Sequence, residues 1–184
     1  MWRVIGISTD SLTHLEQETE KIINFLNGDF IDYFHIRKPK MTKWQLKKYL
    51  LLFPKDMRNR LTIHDHYDIA EEFGVGGINI NKRNADTDIS LWNGRISYSC
   101  HSLQGVERCK DKADYVLLSP VFDSFSKHGH KSAFTLGELV LAQEKGIIDD
   151  KVIGMGGVDI KRFNILKMLG FGGAAMLGSL WQTE

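Results

Sequence analysis

Three kinds of reactive group gather at the ends of short apolar runs in this sequence. Cations come first: Arg37 and Lys38 follow the run Ile31–Ile36, and Lys127 lies beyond Tyr115–Leu118. Acidic, amide and imidazole groups come second. His35 sits inside the run before Arg37, His64, Asp65 and His66 follow Arg60–Ile63, and Asn79, Asn81 and Asn84 stand at or beyond the end of Gly77–Ile80. Hydroxyls and bare backbone come third. Ser99 and His101 close Ile96–Cys100, Ser119, Ser124 and Ser126 follow Tyr115–Leu118, Gly156–Gly157 follow Val152–Met155, and Gly178–Ser179 follow Ala174–Leu177. Cations and clustered backbone N–H groups bind anions, and glycine lets the backbone approach without a Cβ in the way. Carboxylate and amide oxygens bind hard divalent cations, and imidazole moves protons near neutrality.

Some of these groups have a second reading. Arg37 alternates with Ile36, which suits a half-buried guanidinium with an anionic partner as well as a surface charge. Asp65 serves either as a helix N-cap or, with another oxygen ligand, as a Mg²⁺ ligand. His64 and His66 flank it at strand spacing, as a transition-metal pair would, but no third ligand stands at a fitting distance. His128-Gly129-His130, in a Ser-rich stretch, suits a mobile lid. His101 and Cys100 suit a barrel rim better than a catalytic role.

The elements that must position these groups alternate. Strands are expected at Val4–Ser8, Ile31–Ile36, Arg60–Ile63, Gly77–Ile80, Ile96–Cys100, Tyr115–Leu118, Val152–Met155 and Ala174–Leu177. Helices are expected near Leu15–Asn27, Lys43–Phe53, Asp68–Phe73, Asp88–Trp92, Leu103–Lys110, Leu136–Lys145 and Ile160–Leu169, with N-caps at Thr42 and Thr135 and stops at Gly28, Gly74, Gly146 and Gly170. Eight strand–helix repeats predict an α/β fold, a (β/α)8 TIM barrel in one domain over residues 1–184. A doubly wound open sheet satisfies the same alternation. The 184 residues are few for a barrel of typically ~250, and only five follow Ser179. The eighth helix is therefore expected to be missing or truncated, leaving an apolar strip for a partner.

Composition excludes several function classes. With 24 Lys+Arg against 23 Asp+Glu the net charge is +1, and no basic field for nucleic acid or membrane surfaces results. No apolar run reaches the length of a spanning helix, and no leader peptide is evident at Met1–Ser8. Two cysteines, Cys100 and Cys109, read as reduced thiols of a cytoplasmic protein, with a disulfide as the lesser option.

Along nearly its whole length the chain resembles the thiamine phosphate synthase and thiazole tautomerase superfamily. The resembling stretches are FHIRK at 34–38, LTIHDHYDIAEEFGVGGINI at 61–80, SCHS at 99–102, ADYVLLSPVFDSFSK at 113–127, and GMGG and GAAMLGS near the end. The family patterns they follow are QLREK, NDR-x-DIA, S-x-H, ADYVGLGPV-x-x-T-x-T-K, IGGI and GV-x-x-x-S. The resemblance implies a TIM barrel and a synthase that couples hydroxymethylpyrimidine diphosphate to hydroxyethylthiazole phosphate. It further implies that Arg37, Ser99 and Lys127 hold the diphosphate, that Asp65 binds Mg²⁺, that Ser124 and Ser126 occupy the two threonine positions, and that Gly156, Gly157, Gly178 and Ser179 cradle the thiazole phosphate. Lys38, next to Arg37, joins the substrate-binding candidates.

The sequence departs from the family at identifiable points. His35 stands for the first-motif Gln and His64 for the Asn of NDR, both at substrate-binding positions. Pro39 stands for a Lys. Asn84 stands nineteen residues after Asp65, where a second Mg²⁺ carboxylate is expected, and would ligate only through its carbonyl. The HIR form resembles the tautomerase branch, whereas Pro120 matches the synthases. Three readings stay open: a synthase with a weakened metal site, a metal-free tautomerase using His35, His101 or His128, and a binding protein without turnover. The family also implies a homodimer.

Overall fold

The computed structural model describes residues 1–123 and 132–182. Its strands are β1 (Arg3–Ile7), β2 (Tyr33–Ile36), β3 (Leu61–Ile63), β4 (Gly77–Ile80), β5 (Arg95–Cys100), β6 (Tyr115–Leu118), β7 (Val152–Met155) and β8 (Gly173–Met176). They are parallel and close in sequence order into a barrel, which excludes the open sheet. The helices are α1 (Leu15–Asn27), α2 (Lys43–Leu51), α3 (Leu103–Cys109), α4 (Leu136–Glu144), α5 (Phe163–Met168) and a four-residue α6 (Gly178–Trp181). Both expected N-caps form full capping boxes, Thr42 with Gln45 and Thr135 with Glu138.

Two expected helices are absent. Asp68–Phe73 reduces to a 3-10 turn at Tyr67–Ile69, between left-handed residues His66 (φ 57°) and Gly74 (φ 69°). So short a stretch cannot offset the cost of helix nucleation. Asp88–Trp92 forms turns, with the Asp88 carboxylate accepting the Ser90 N–H at 2.9 Å and competing with helical bonding. Where these helices were expected lies a cavity of about 510 Å³ whose walls include Asp65, Asp68, Ile78, Asp88 and Trp92.

By contact density the chain divides into two compact units, residues 6–96 and residues 1–5 with 97–184. In the first, Phe34 of β2 stacks on Phe25 of α1, with ring centroids 6.3 Å apart. Phe34 and Ile36 therefore face the helices, and strand period two turns His35 to the opposite face. The register His35↔Thr62↔Gly77 carries that face across β3 and β4. Its members His35, Thr62 and Asn79, and His64 just beyond β3, are polar and buried, while Phe34, Ile36, Leu61, Ile63 and Ile78 form the apolar helix side.

In the second unit the pattern inverts. Gly154 lies under Leu166 of α5, where a Cβ would fall 2.6 Å from the leucine side chain. Residues Ile153 and Met155 therefore take the face away from α5. The register Leu117↔Ile153↔Gly173 and Met155↔Ala175 makes that face apolar, with Ser97 and Ser99 at its β5 edge. Cys100 and Cys109 are free thiols, and burial, reinforced by Cys109, pushes the Cys100 thiol up to about 12. Among the described residues no helix is long and apolar enough to cross a membrane.

Candidate active site

Within residues 6–96, His35 and His64 come from neighbouring strand ends and meet edge to face. His35 Nδ1 and His64 Nε2 are 2.8 Å apart and both side chains are buried. One ring donates and the other accepts, which requires at least one neutral imidazole. Burial, then the charges of His64 and Arg95, hold His35 well below its ordinary value. Burial, then the guanidiniums of Arg37 and Arg83, lower His64 to about 3. The pair is therefore neutral at physiological pH and offers fixed ring donors and acceptors. His66 turns away and bonds the Met41 carbonyl at 2.9 Å, so it does not pair with His64 around a metal.

Asp65 follows directly. Its carboxylate receives three contacts from one guanidinium: Arg83 Nε to Oδ1 at 3.3 Å, and Arg83 Nη2 to Oδ1 at 3.1 Å and to Oδ2 at 3.0 Å. Arg83 is held in place by two asparagines. The Asn81 side-chain oxygen accepts the Arg83 N–H at 3.0 Å, and the Asn84 oxygen accepts the Asn81 N–H at 2.8 Å. Both asparagine amides then donate to the His64 carbonyl, at 3.0 and 2.7 Å, as does the Tyr67 hydroxyl at 3.3 Å. The loop after β4 is thereby tied to the end of β3. As placed, Asp65 and Asn84 do not form a divalent-cation site: the carboxylate is engaged by a cation, and the Asn84 oxygen already accepts a backbone N–H. No group of three His, Cys, Asp or Glu residues among those described is placed to hold a metal ion.

Arg37 and Lys38 are adjacent but differently engaged. The Arg37 backbone is fixed by Ser8, whose Oγ accepts the Arg37 N–H at 2.9 Å. The Arg37 guanidinium, on a half-buried residue, has no carboxylate partner among the described residues. Lys38, expected to bind substrate, is instead buried and paired to Glu18 of α1 at 2.5 Å, and it donates to the Ser11 carbonyl at 2.8 Å. Glu18 also accepts from the Thr9 N–H and Oγ1 (2.9 and 2.7 Å) and from the Tyr49 hydroxyl (2.7 Å). Burial and then the Glu18 charge raise the Tyr49 phenol, keeping it a donor. With its ammonium committed to Glu18, Lys38 braces the strand end that carries Arg37.

In the other unit, Ser99 is half-buried beside Leu117. His101 accepts from or donates to Ser119, with Nδ1 3.0 Å from its carbonyl and 3.2 Å from its hydroxyl. Gly156 (φ 90°) and Gly157 (φ 61°) form two successive left-handed residues after β7. A Cβ would fall 2.8 Å from Pro120 at the first and 2.2 Å from the Asp123 carbonyl at the second, so only glycine fits both. Arg162 donates to the carbonyls of Asp123 and Gly157 and covers the Phe122 ring at 4.9 Å. Gly178 and Ser179 open α6, and the Ser179 hydroxyl donates to the Val158 carbonyl at 2.7 Å, tying the loop after β8 to the loop after β7. Ser124, Ser126, Lys127 and His128 lie outside the described residues.

Sequence reasoning missed Glu18 and Arg83. Glu18 carried a readable signal: it shares an i, i+4, i+8 stripe with Ile22 and Leu26, all buried on α1. Arg83 carried none, because its partner lies eighteen positions away on another strand end.

The sequence matches, over residues 4–180, the family model described as thiamine monophosphate synthase. It is 25% identical to the thiamine-phosphate synthase of Caldicellulosiruptor bescii over 178 residues, covering 93% of this chain and 80% of the relative. The fold superposes on a thiamine phosphate pyrophosphorylase from Bacteroides thetaiotaomicron with a TM-score of 0.78 and 33% identity, covering 98% of this chain and 85% of the other. A thiamine phosphate pyrophosphorylase from Pyrococcus furiosus shares the fold, with a TM-score of 0.70 at 20% identity, over 95% of this chain and 85% of the other.

Proposed function

We propose that this chain, which belongs to the thiamine monophosphate synthase family, is a transferase that joins hydroxymethylpyrimidine diphosphate to hydroxyethylthiazole phosphate. The bond between the pyrimidine methylene carbon and the diphosphate oxygen breaks, and its electron pair leaves with pyrophosphate. The thiazole nitrogen then donates its lone pair to the methylene carbon, giving thiamine phosphate. The chief physical demand is to stabilise charge developing on the departing oxygen.

The observation that carries this reading is Arg37. Its guanidinium is unpaired by carboxylates among the described residues, on a backbone clamped by Ser8 and braced by the neighbouring Lys38–Glu18 pair. A held, uncompensated cation is what a leaving diphosphate needs. In the same reading Ser99 and Lys127 also contact the diphosphate, and Ser124 and Ser126 line the substrate. Gly156, Gly157, Gly178 and Ser179 receive the thiazole phosphate. The His35–His64 pair faces the pyrimidine, its neutral rings acting as hydrogen-bonding groups rather than as proton shuttles. A cytoplasmic location and a homodimer belong to the same proposal, the latter checked by sedimentation.

The test is pyrophosphate release from the two substrates by wild type and Arg37→Ala. Release that falls about 100-fold or more in the variant supports the reading, since losing one such donor costs about 10²–10³ in rate. Thiazole phosphate binding without any release leaves the binding-protein alternative.

A further inference from the structure

The Asp65 loop disagrees with the metal site that the family resemblance implies, and the disagreement points to a residue the family pattern does not include. We infer that Arg83 supplies, through its guanidinium, the positive charge that a divalent cation on Asp65 would bring to the diphosphate, so that this chain binds diphosphate without such a cation. The inference rests on the synthase reading for the identity of the ligand, not for the geometry.

The geometry has three parts. Asp65 grips only one edge of Arg83, through Nε and Nη2. A guanidinium carries five N–H donors, so the two on Nη1 remain directed elsewhere, and a diphosphate oxygen can take them while the carboxylate keeps its hold. Arg83 is oriented before any ligand arrives, by the Asn81 bond to its own N–H and by the Asn84 bonds that tie Asn81 to the end of β3. Arg37 follows β2 and Arg83 follows β4, and β3 pairs with both of those strands, so the two residues stand in the loops on either side of the strand end that carries Asp65. Asn84 then has a role that a second metal carboxylate could not fill. Its amide donates to the His64 carbonyl while its oxygen accepts a backbone N–H, whereas a carboxylate would lose the first bond and add a charge beside Asp65.

The roles of the two loop residues follow. Arg83 contacts the leaving group, and Asp65 positions Arg83. This ordering is the reverse of a metal site, in which loss of Asp65 would be the more damaging change.

The experiment is calorimetric titration of inorganic pyrophosphate into the full chain, with EDTA and again with MgCl₂, for wild type, Arg83→Gln, Arg83→Lys and Asp65→Asn. Pyrophosphate release is assayed in parallel, and thermal melts check folding. Arg83 is 45% exposed at its side chain, so the variants are expected to fold. The expected result is wild-type affinity that changes less than about twofold between EDTA and Mg²⁺, about tenfold weaker metal-free binding in Arg83→Gln, partial recovery in Arg83→Lys, and a smaller loss in Asp65→Asn. Wild-type binding that appears only with Mg²⁺ and is abolished in Asp65→Asn would overturn the inference, and the parallel release assay would show whether the synthase reading survives it. Arg83-dependent, metal-free binding without any release would support the inference while removing the synthase reading.

Discussion

The two compact units use their strands in opposite ways. In residues 6–96 the strand face away from the helices is polar and buried, carrying His35, Thr62 and Asn79, with His64 just beyond β3, and it is satisfied by bonds that run between strand ends. In the other unit the corresponding face is apolar, carrying Leu117, Ile153, Met155 and Ala175 with Ser97 and Ser99 at its β5 edge, and the loop beyond β7 is opened by glycine. The first unit therefore carries charged and ring groups that are held in place. The second carries glycine loops whose backbone no Cβ covers. Buried polar networks are costly when partly satisfied, so the two units should respond differently to the same kind of perturbation.

The largest effects should separate chemistry from support. Arg37→Ala should lower pyrophosphate release by about 10²–10³ with little change in melting temperature, because its guanidinium supports no other described side chain. Lys38→Met should do the opposite. It leaves Glu18 charged and buried, a change that costs about 3–5 kcal/mol, whereas the double variant Glu18→Gln/Lys38→Met should recover much of it in urea melts. Ile153→Ala, on the apolar face of the other unit, should cost about 2–5 kcal/mol with no partner substitution able to rescue it. Equal behaviour of Lys38→Met and its double variant would remove the distinction between the units.

A pH dependence should come from the histidine pair. An unfolded histidine takes up a proton below about 6.5, whereas folded His64 stays neutral to about 3 and His35 is also held low. Between these values the unfolded chain binds more protons, so stability is full above about 6.5 and falls as pH drops. The slope approaches at most about 1.4 kcal/mol per pH unit for each histidine. Urea melts between pH 7.5 and 5.5, above the carboxylate range, should show it in wild type and not in His35→Gln/His64→Asn. The smallest effects should be the same in both units: Thr42→Ala and Thr135→Ala each remove a capping box, at about 1 kcal/mol.

Much of the fold was legible because its signals are local. Thr42 with Gln45 and Thr135 with Glu138 announce helix starts by spacing alone, and Gly156–Gly157 after an apolar run announce a turn that needs positive φ. The helix expected at 68–73 failed because apolar spacing was present without the length to use it, and the one at 88–92 because the Asp88 carboxylate takes the Ser90 N–H. The site was legible as a set of strand ends but not as a set of pairs. His35 and His64 are 29 positions apart, and their meeting depends on the register of β2 against β3. The Asp65–Arg83 pair was not legible because nothing in the neighbourhood of Asp65 announces Arg83. Lys38 read as a substrate contact although its partner, Glu18, was visible as a charge in the buried stripe of α1.

The two thiols carry a practical consequence. With its thiol at about 12 and only 6% of its surface exposed, Cys100 holds about one part in 10⁵ of thiolate at pH 7 and resists electrophiles. Cys109, partly exposed at the end of α3, is the thiol that a maleimide reaches first. A fluorophore or spin label can thus be attached to the native sequence at a single position, well away along the chain from both the Asp65 loop and the glycine loops.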